Sequence, residues 1–158
     1  MEGELVRFRV AELGFPEGAT TSEIFGARDA RDPTKVTIVI LSLEDLGFPD
    51  GALTREIIGA EQDTDQHGNP APFTSGRGRQ LGLELCSPEV GPYYRLEYRD
   101  QPLGERLYIA MKPMATSDDE PRIFALAHDA EGLSLDAARA RPDDNWHPED
   151  KFVFCTQP

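Results

Sequence analysis

Alternation of apolar and polar residues predicts a protein built mainly from short β-strands. Seven segments have a strand-like pattern: residues 5–13, 35–43, 80–86, 93–99, 105–112, 122–128 and 151–156. In the first of them, Val6, Phe8 and Val10 alternate with polar residues, as in a strand with one face exposed to water. In residues 35–43 both the odd-numbered and the even-numbered positions are largely apolar, which is typical of a central strand covered on both faces.

Only one segment, residues 133–141 (LSLDAARAR), has a composition typical of a helix. Ser134 suits its N-cap and Pro142 suits its end. Turn residues are frequent elsewhere, because the 158 residues include 14 glycines and 13 prolines. Short strands joined by such turns favour a β-barrel or a β-sandwich, with a β-trefoil as the alternative. The length fits a single domain that covers residues 1–158.

One sequence of fifteen residues occurs twice, at an offset of 33 residues. Residues 13–27 (LGFPEGATTSEIFGA) and 46–60 (LGFPDGALTREIIGA) are identical at 11 of these 15 positions. An ankyrin array is excluded, because the residues between the copies are β-branched and strand-like. Each copy begins with turn residues, and its end favours a strand. We interpret the repeat as two equivalent corners of a pseudo-symmetric β fold; alternatively, exposed Phe15 and Phe48 are two contact sites for one partner.

The charge of the chain restricts its partners. Acidic residues outnumber basic ones by 29 to 16, which gives a net charge of −13. Direct binding to nucleic acid or to an anionic membrane depends on cationic side chains, so both are disfavoured. A protein partner with a basic surface fits better. Because the N-terminal residues lack the apolar segment of a signal peptide and the longest apolar run has only strand length, we expect a cytoplasmic protein.

Candidate catalytic residues are few, since the chain has three histidines and two cysteines. It contains no nucleophile elbow, zinc-protease motif or zinc-binding spacing, and we expect no cofactor. His128, His147 and Cys86 are candidates only if the fold brings a histidine next to the thiol or to a carboxylate. The spacing of Cys86 and Cys155 leaves open whether they pair in a disulfide.

Candidate ligand-binding residues lie in a long loop, residues 61–79. Asp63 and Asp65 alternate ahead of a glycine as at the start of a calcium loop, although the twelfth position carries no carboxylate. A calcium site is therefore a weak alternative to an ordinary polar loop. Arg77 and Arg79, in Thr-Ser-Gly-Arg-Gly-Arg, could hold a phosphate or a carboxylate.

Trp146 and His147 come directly before the last predicted strand. The tryptophan either closes one end of the fold or forms a platform for a ligand. The leading hypothesis is a non-catalytic, acidic interaction module that uses loops 61–79 and 113–121 and the acidic C-terminal region. The alternatives are a small-molecule or carbohydrate-binding domain that uses the tryptophan, the histidine and the two arginines, and a small enzyme whose histidine–carboxylate site is assembled by the fold.

Overall fold

The computed structural model of the chain describes residues 4–9, 35–115 and 117–156. The described residues form nine strands: β1 (Glu4–Arg9), β2 (Lys35–Ser42), β3 (Ala52–Leu53), β4 (Leu83–Glu84), β5 (Arg106–Ile109), β6 (Arg122–Asp129), β7 (Gly132–Arg139), β8 (Asn145–Trp146) and β9 (Lys151–Thr156). They also form three helices: α1 (Thr54–Ile58), α2 (Arg77–Gln80) and α3 (Val90–Glu97). The fold is therefore mainly β. None of these three helices has the length and apolar content needed to cross a membrane.

Seven of the described strands form one mixed sheet. Its order is β1-β2-β9-β5-β6-β7, and the short strand β4 also pairs with β9. The β5–β9 pair is parallel, whereas the other pairs in the described sheet are antiparallel. Strands β3 and β8 form a separate two-stranded sheet. Because β1 and β7 lie at opposite ends of the strand order, the described strands form an open sheet and not the closed barrel predicted as one option.

The centre of the large sheet is buried on both faces. Residues 38–41 of β2 are all buried, and so are residues 152–155 of β9. Successive residues of a strand point to opposite faces, so both faces of these strands must be covered. The prediction of a doubly covered strand at residues 35–43 is confirmed for the part of β2 whose side chains are described.

Helix α3 covers one face of this sheet, where Gly91 lies against the ring of Phe124. Helices α1 and α2 and the β3–β8 pair lie on the opposite face. There the indole of Trp146 packs edge-on against Tyr108 and Phe152, with ring centroids 4.7 and 5.1 Å away. The two layers enclose a continuous apolar core on either side of β9.

The strand predicted at residues 93–99 is wrong, because this segment belongs largely to helix α3. Tyr94 and Tyr98, expected on one face of a strand, are separated by about one helical turn, and their rings stack at 5.2 Å. Leu96, between them, is 50% exposed. The helix buries Val90, Tyr93 and Tyr94, which have the i, i+3, i+4 spacing of a helix face. Two residues four positions apart lie on the same side of both a strand and a helix, so the spacing of Tyr94 and Tyr98 does not distinguish the two. The aromatic residues of this segment therefore favoured a strand, which is wrong.

The helix predicted at residues 133–141 is also wrong, because β7 occupies Gly132–Arg139. Asp129 pairs with Gly132 across a two-residue loop, and this turn closes a hairpin between β6 and β7. Residues 129–132 (Asp-Ala-Glu-Gly) have the composition typical of a turn. Pairing with β6 along the whole of β7 outweighs the high helix propensity of its alanines and leucines.

Two further strand predictions fail in part. The end of the second repeat copy forms β3 and then helix α1, because Glu56 accepts a hydrogen bond from the N–H of Leu53 at 2.9 Å and caps the first turn. Ile57 and Ile58 on this helix are buried. Residues 80–86 contain only the two-residue strand β4, which follows helix α2.

Candidate functional site

The Thr-Ser-Gly-Arg-Gly-Arg segment, residues 74–79, lies between two surface grooves. Phe48 and Arg77 line the first, which we call the Phe48 groove. Arg79 and Lys112 line the second, which we call the Lys112 groove. The two arginines predicted as a single anion-binding pair therefore line different grooves.

Asp63 organises the loop that leads to this segment. Its carboxylate Oδ2 accepts hydrogen bonds from the backbone N–H groups of Ala60, Thr74 and Ser75, at 2.9, 3.1 and 2.9 Å. Burial raises the pKa of Asp63, but these hydrogen bonds and the one from the Ser75 side chain outweigh it, so the pKa lies below its ordinary value. The loop is thus folded around one ionised carboxylate.

Asp65, the other residue of the predicted calcium loop, caps a tight turn. Its Oδ1 accepts the N–H groups of His67 and Asn69 at 2.8 and 3.0 Å, and these bonds lower its pKa. Asp63 and Asp65 are both engaged by backbone donors. In the part of the chain that the structure describes, no group of three or more histidine, cysteine or acidic side chains could hold a metal ion.

Arg77 connects helix α2 to the turn of the second repeat copy. Its Nε donates to the carbonyl oxygen of Leu46 at 2.7 Å, and its Nη1 donates to Gln80 at 3.1 Å. Beside it, Phe48 is half-buried and packs against the core. Phe15, the corresponding residue of the first copy, lies outside the described residues. The prediction that both phenylalanines contact a partner therefore stays a prediction.

The Lys112 groove has an apolar floor and a charged rim. Its volume is about 350 Å³, and its floor includes the buried side chains of Ile57, Ile58 and Leu83. Arg79 and Lys112 lie on the rim together with Glu84, whose carboxylate is 3.9 Å from Arg79. Two cations and one carboxylate leave the rim with one excess positive charge, although the whole protein is strongly acidic.

Phe73 forms part of the wall of the Lys112 groove in a conformation that is uncommon for its residue type. Its φ is 58°, in the left-handed region. The N–H of Phe73 donates to the carbonyl of Ala60 at 2.9 Å, and the next two N–H groups are held by Asp63. The Asp63 hydrogen bonds therefore fix the position of the aromatic ring in the groove.

A second surface is formed by two turns that lie against each other, residues 43–51 and 147–150. The N–H groups of Leu43 and Glu44 donate to the carbonyls of Asp150 and Pro148 at 3.0 and 3.1 Å. We call the outer surface of these turns the two-turn face; it comprises Glu44, Phe48, Asp50, His147 and Glu149. The three acids are exposed, and within the described residues none of them forms an ion pair.

The described hydrogen bonds of the candidate catalytic residues His128, His147 and Cys86 involve different parts of the fold. His128, at the end of β6, is 2.6 Å through Nδ1 from the carbonyl oxygen of Gln101. His147 is exposed on the two-turn face, and its backbone N–H donates to Asp150 at 2.9 Å. Cys86 is buried, and its sulfur lies 2.9 Å from the sulfur of Cys155 and 3.5 Å from the Val153 carbonyl oxygen. Among the described contacts, no histidine side chain is hydrogen-bonded to a carboxylate or a thiol.

Trp146, a candidate ligand platform, is 8% exposed and lies in the core. Its Nε1 donates to the hydroxyl of Thr54 at 2.8 Å, and that residue is also buried. The indole is thus occupied by apolar packing and one internal hydrogen bond. Trp146 and His147, adjacent in sequence, point to the interior and to the surface respectively.

Several residues of the Lys112 groove and of the two-turn face were not predicted as site residues from the sequence. Lys112 follows a strand and has no neighbouring motif, so its rarity as one of three lysines was the only signal. Phe73 is positioned by a backbone conformation that has no sequence signature. Glu44 and Glu149 are more than one hundred positions apart, and only the pairing of β2 with β9 brings their turns together.

No protein-family model matches the chain, and no curated protein or solved structure is significantly similar to it.

Proposed function

We propose that the protein is a non-catalytic interaction module that binds a basic segment of a protein partner through the two-turn face. The observation that carries the proposal is that two turns joined by backbone hydrogen bonds carry three exposed acids, Glu44, Asp50 and Glu149, together with the half-buried Phe48. A half-buried aromatic side chain on the same pair of turns as three exposed carboxylates suits a partner that presents cations beside an apolar side chain. The net charge of −13 also steers basic partners toward the protein.

Other acidic segments are less suited to this role because internal partners engage their carboxylates. In loop 113–121, Asp118 is paired with Arg122 at 3.0 Å, and Glu120 is paired with Arg141. In loop 61–79, Asp63 and Asp65 hold backbone N–H groups. The two-turn face thus presents carboxylates that a partner can engage without breaking an ion pair of the described residues.

The experiment is panning of a random peptide display library against the immobilised protein at low and at physiological salt. We expect enrichment of basic peptides that contain an aromatic or large aliphatic residue, with weaker binding at the higher salt concentration. In the variant E44Q/D50N/E149Q, three rim contacts of about 0.5 kcal/mol each are lost, so binding weakens roughly tenfold.

The matched control is E61Q/D119N/D143N, which removes three exposed acids outside the two-turn face and changes the net charge equally. The control keeps the affinity of the wild type if the face is the binding site. Equal loss in both variants would show that only net charge matters. Enriched peptides without basic residues would contradict the proposal directly.

The Lys112 groove supports a second candidate function, the binding of a small amphipathic carboxylate. Its volume lies within the range of small-molecule pockets. The aliphatic floor suits a short hydrocarbon body, and Arg79 and Lys112 suit a single carboxylate at its end. The excess positive charge of the rim is the specific observation that favours an anion over a neutral or cationic ligand.

Octanoate, octanol and octylamine distinguish these ligand classes because they share one hydrocarbon chain. In ¹H–¹⁵N NMR titrations we expect octanoate to shift the amides of residues 73–76 and 83–85, and the other two compounds to have smaller effects. The variant R79Q/K112Q should abolish the octanoate shifts, whereas R99Q, at an exposed arginine elsewhere, should retain them. Equal shifts with octanol, or retained shifts in the double variant, would refute the assignment.

A further inference from the structure

The only two cysteines of the chain meet in its core although they are 69 positions apart. Cys86 and Cys155 are each 3% exposed, both are reduced thiols, and their sulfur atoms are 2.9 Å apart. We propose that this pair is a site of reversible oxidation, where a peroxide converts the two thiols into an intrachain disulfide. This proposal is independent of both surface grooves and of the two-turn face.

Backbone hydrogen bonds hold the two segments that carry the cysteines next to each other. Glu84 pairs with Cys155 in the β4–β9 ladder. The N–H of Cys86 donates to the carbonyl of Ala110 at 2.8 Å, and the N–H of Ala110 donates to Val153 at 2.9 Å. The segment that carries Cys86 is therefore attached to β9 directly and through the end of β5. Because a disulfide is about 2.05 Å long, the sulfur atoms need to approach by about 0.9 Å.

The surroundings of the pair favour a disulfide over a metal site. Within the described residues, no third histidine, cysteine or carboxylate joins the two thiols to complete a group of metal ligands. The Cys86 thiol also donates to the carbonyl oxygen of Val153, 3.5 Å from its sulfur. Two thiols facing each other in an apolar core are placed to form a bond with each other.

Hydrogen peroxide is a suitable oxidant because it is small and uncharged. One thiolate attacks a peroxide oxygen, the O–O bond breaks, and the released hydroxide takes a proton to become water. The sulfenic acid formed is then attacked at sulfur by the second thiolate, so that the S–S bond forms and the S–O bond breaks, releasing a second water after protonation. Two thiols and one peroxide thus give one disulfide and two waters.

The bond would join the central strand β9 to the segment between α2 and α3. Besides Cys86, that segment carries Leu83 on the floor of the Lys112 groove. Because both sulfur atoms are buried, the oxidant reaches them through transient opening of the short strand β4 or of the end of β9. Oxidation should therefore be slower in the folded protein than in urea, which itself is a measurable signature.

The test is treatment of the purified full chain with hydrogen peroxide, followed by denaturation, alkylation of remaining thiols and mass spectrometry. We expect an intact mass lower by two hydrogen atoms, no alkylation, and a peptide that links Cys86 with Cys155. Reduction with dithiothreitol should restore both thiols. The oxidised protein should also unfold at a higher temperature, because the cross-link restricts the unfolded chain.

Addition of oxygen atoms to each cysteine without a linked peptide would overturn the proposal, as would disulfide-linked dimers. The single variants C86A and C155A serve as controls, and each should lose the linked peptide and the increase in unfolding temperature on oxidation. Should either variant fail to fold, the linked peptide in the wild-type protein decides the matter, since it requires no substitution.

Discussion

Replacing Asp63 with alanine removes the acceptor for three backbone N–H groups at once. These belong to Ala60, Thr74 and Ser75, which lie at the two ends of the loop that encloses Asp63. The loop closes around this carboxylate, and Phe73 is held in the left-handed region directly before two of the donors. We expect the substitution to release residues 60–75 and to displace the aromatic wall of the Lys112 groove.

The magnitude follows from the number and exposure of the lost hydrogen bonds. A hydrogen bond in a protein contributes about 1 kcal/mol net, and one to an ionised acceptor contributes somewhat more. The loop is largely exposed, so water replaces part of each lost contact. We therefore expect D63A to lower the free energy of unfolding by about 2–3 kcal/mol. Asp63→Asn keeps one carbonyl oxygen as an acceptor and should cost about half as much.

The effect of D63A should depend on pH in a defined direction. The folded-state pKa of Asp63 lies below the ordinary value of 3.8, so the ionised carboxylate stabilises the folded protein. That stabilisation is fully present above the unfolded-state pKa and is lost as the pH falls through the lower folded-state pKa. The difference in stability between wild type and D63A should thus be largest near neutral pH and shrink below pH 3.8.

Urea unfolding followed by the fluorescence of the single tryptophan measures the change in stability, and amide hydrogen exchange locates it. The amides of Thr74 and Ser75 should exchange faster in D63A, while those of β9 change only with global stability. D65A is the matched control, because Asp65 accepts two N–H groups at an exposed turn and should cost less. Equal effects of D63A and D65A, or unchanged exchange at Thr74 and Ser75, would refute the reasoning.

Three further substitutions test the core, each by urea unfolding. Thr54→Val leaves the buried indole N–H of Trp146 without its acceptor and should cost about 1–3 kcal/mol, whereas Thr54→Ser should cost less; equal costs would contradict the hydrogen bond. Gly78→Ala would place a Cβ 2.3 Å from the ring of Phe154, so we expect the free energy of unfolding to fall by about 2–3 kcal/mol. Adding Phe154→Leu should partly restore the stability of this variant, and additive effects of the two substitutions would argue against the clash. Arg95→Lys loses donors to carbonyls of β6 and β7 and should cost about 2 kcal/mol, with faster amide exchange in α3; unchanged exchange would argue against its anchoring role.

The strands that could be predicted from the sequence are those in which buried positions carry apolar residues in a strand-like pattern. Strands β2, β5, β6 and β9 lie within the predicted segments to within a residue or two, because each presents apolar residues to the core. Strand β7 was missed because it is an edge strand with largely half-exposed residues. Its conformation is determined by pairing with β6, which a local pattern of alanines does not report.

The candidate sites were predictable only where a local motif exists. The basic, glycine-rich character of residues 74–79 was evident, but the direction of each arginine depends on the start of helix α2. The acids of the two-turn face were visible only as part of the net charge, since the strand pairing that assembles them is long-range. The spacing of the two cysteines likewise gave no indication that their sulfur atoms meet.

The second repeat copy suggests why its sequence is so similar to the first. Several residues that are identical in both copies determine the backbone here: Leu46 is buried, and Gly51 has a φ of 90° with the Trp146 carbonyl only 2.3 Å from where a Cβ would lie. Of the four positions at which the copies differ, Asp50 and Arg55 are exposed. In the second copy the shared residues therefore specify a turn and the start of a helix, whereas the four differing positions include two exposed charged residues as well as the half-buried Leu53 and the buried Ile58.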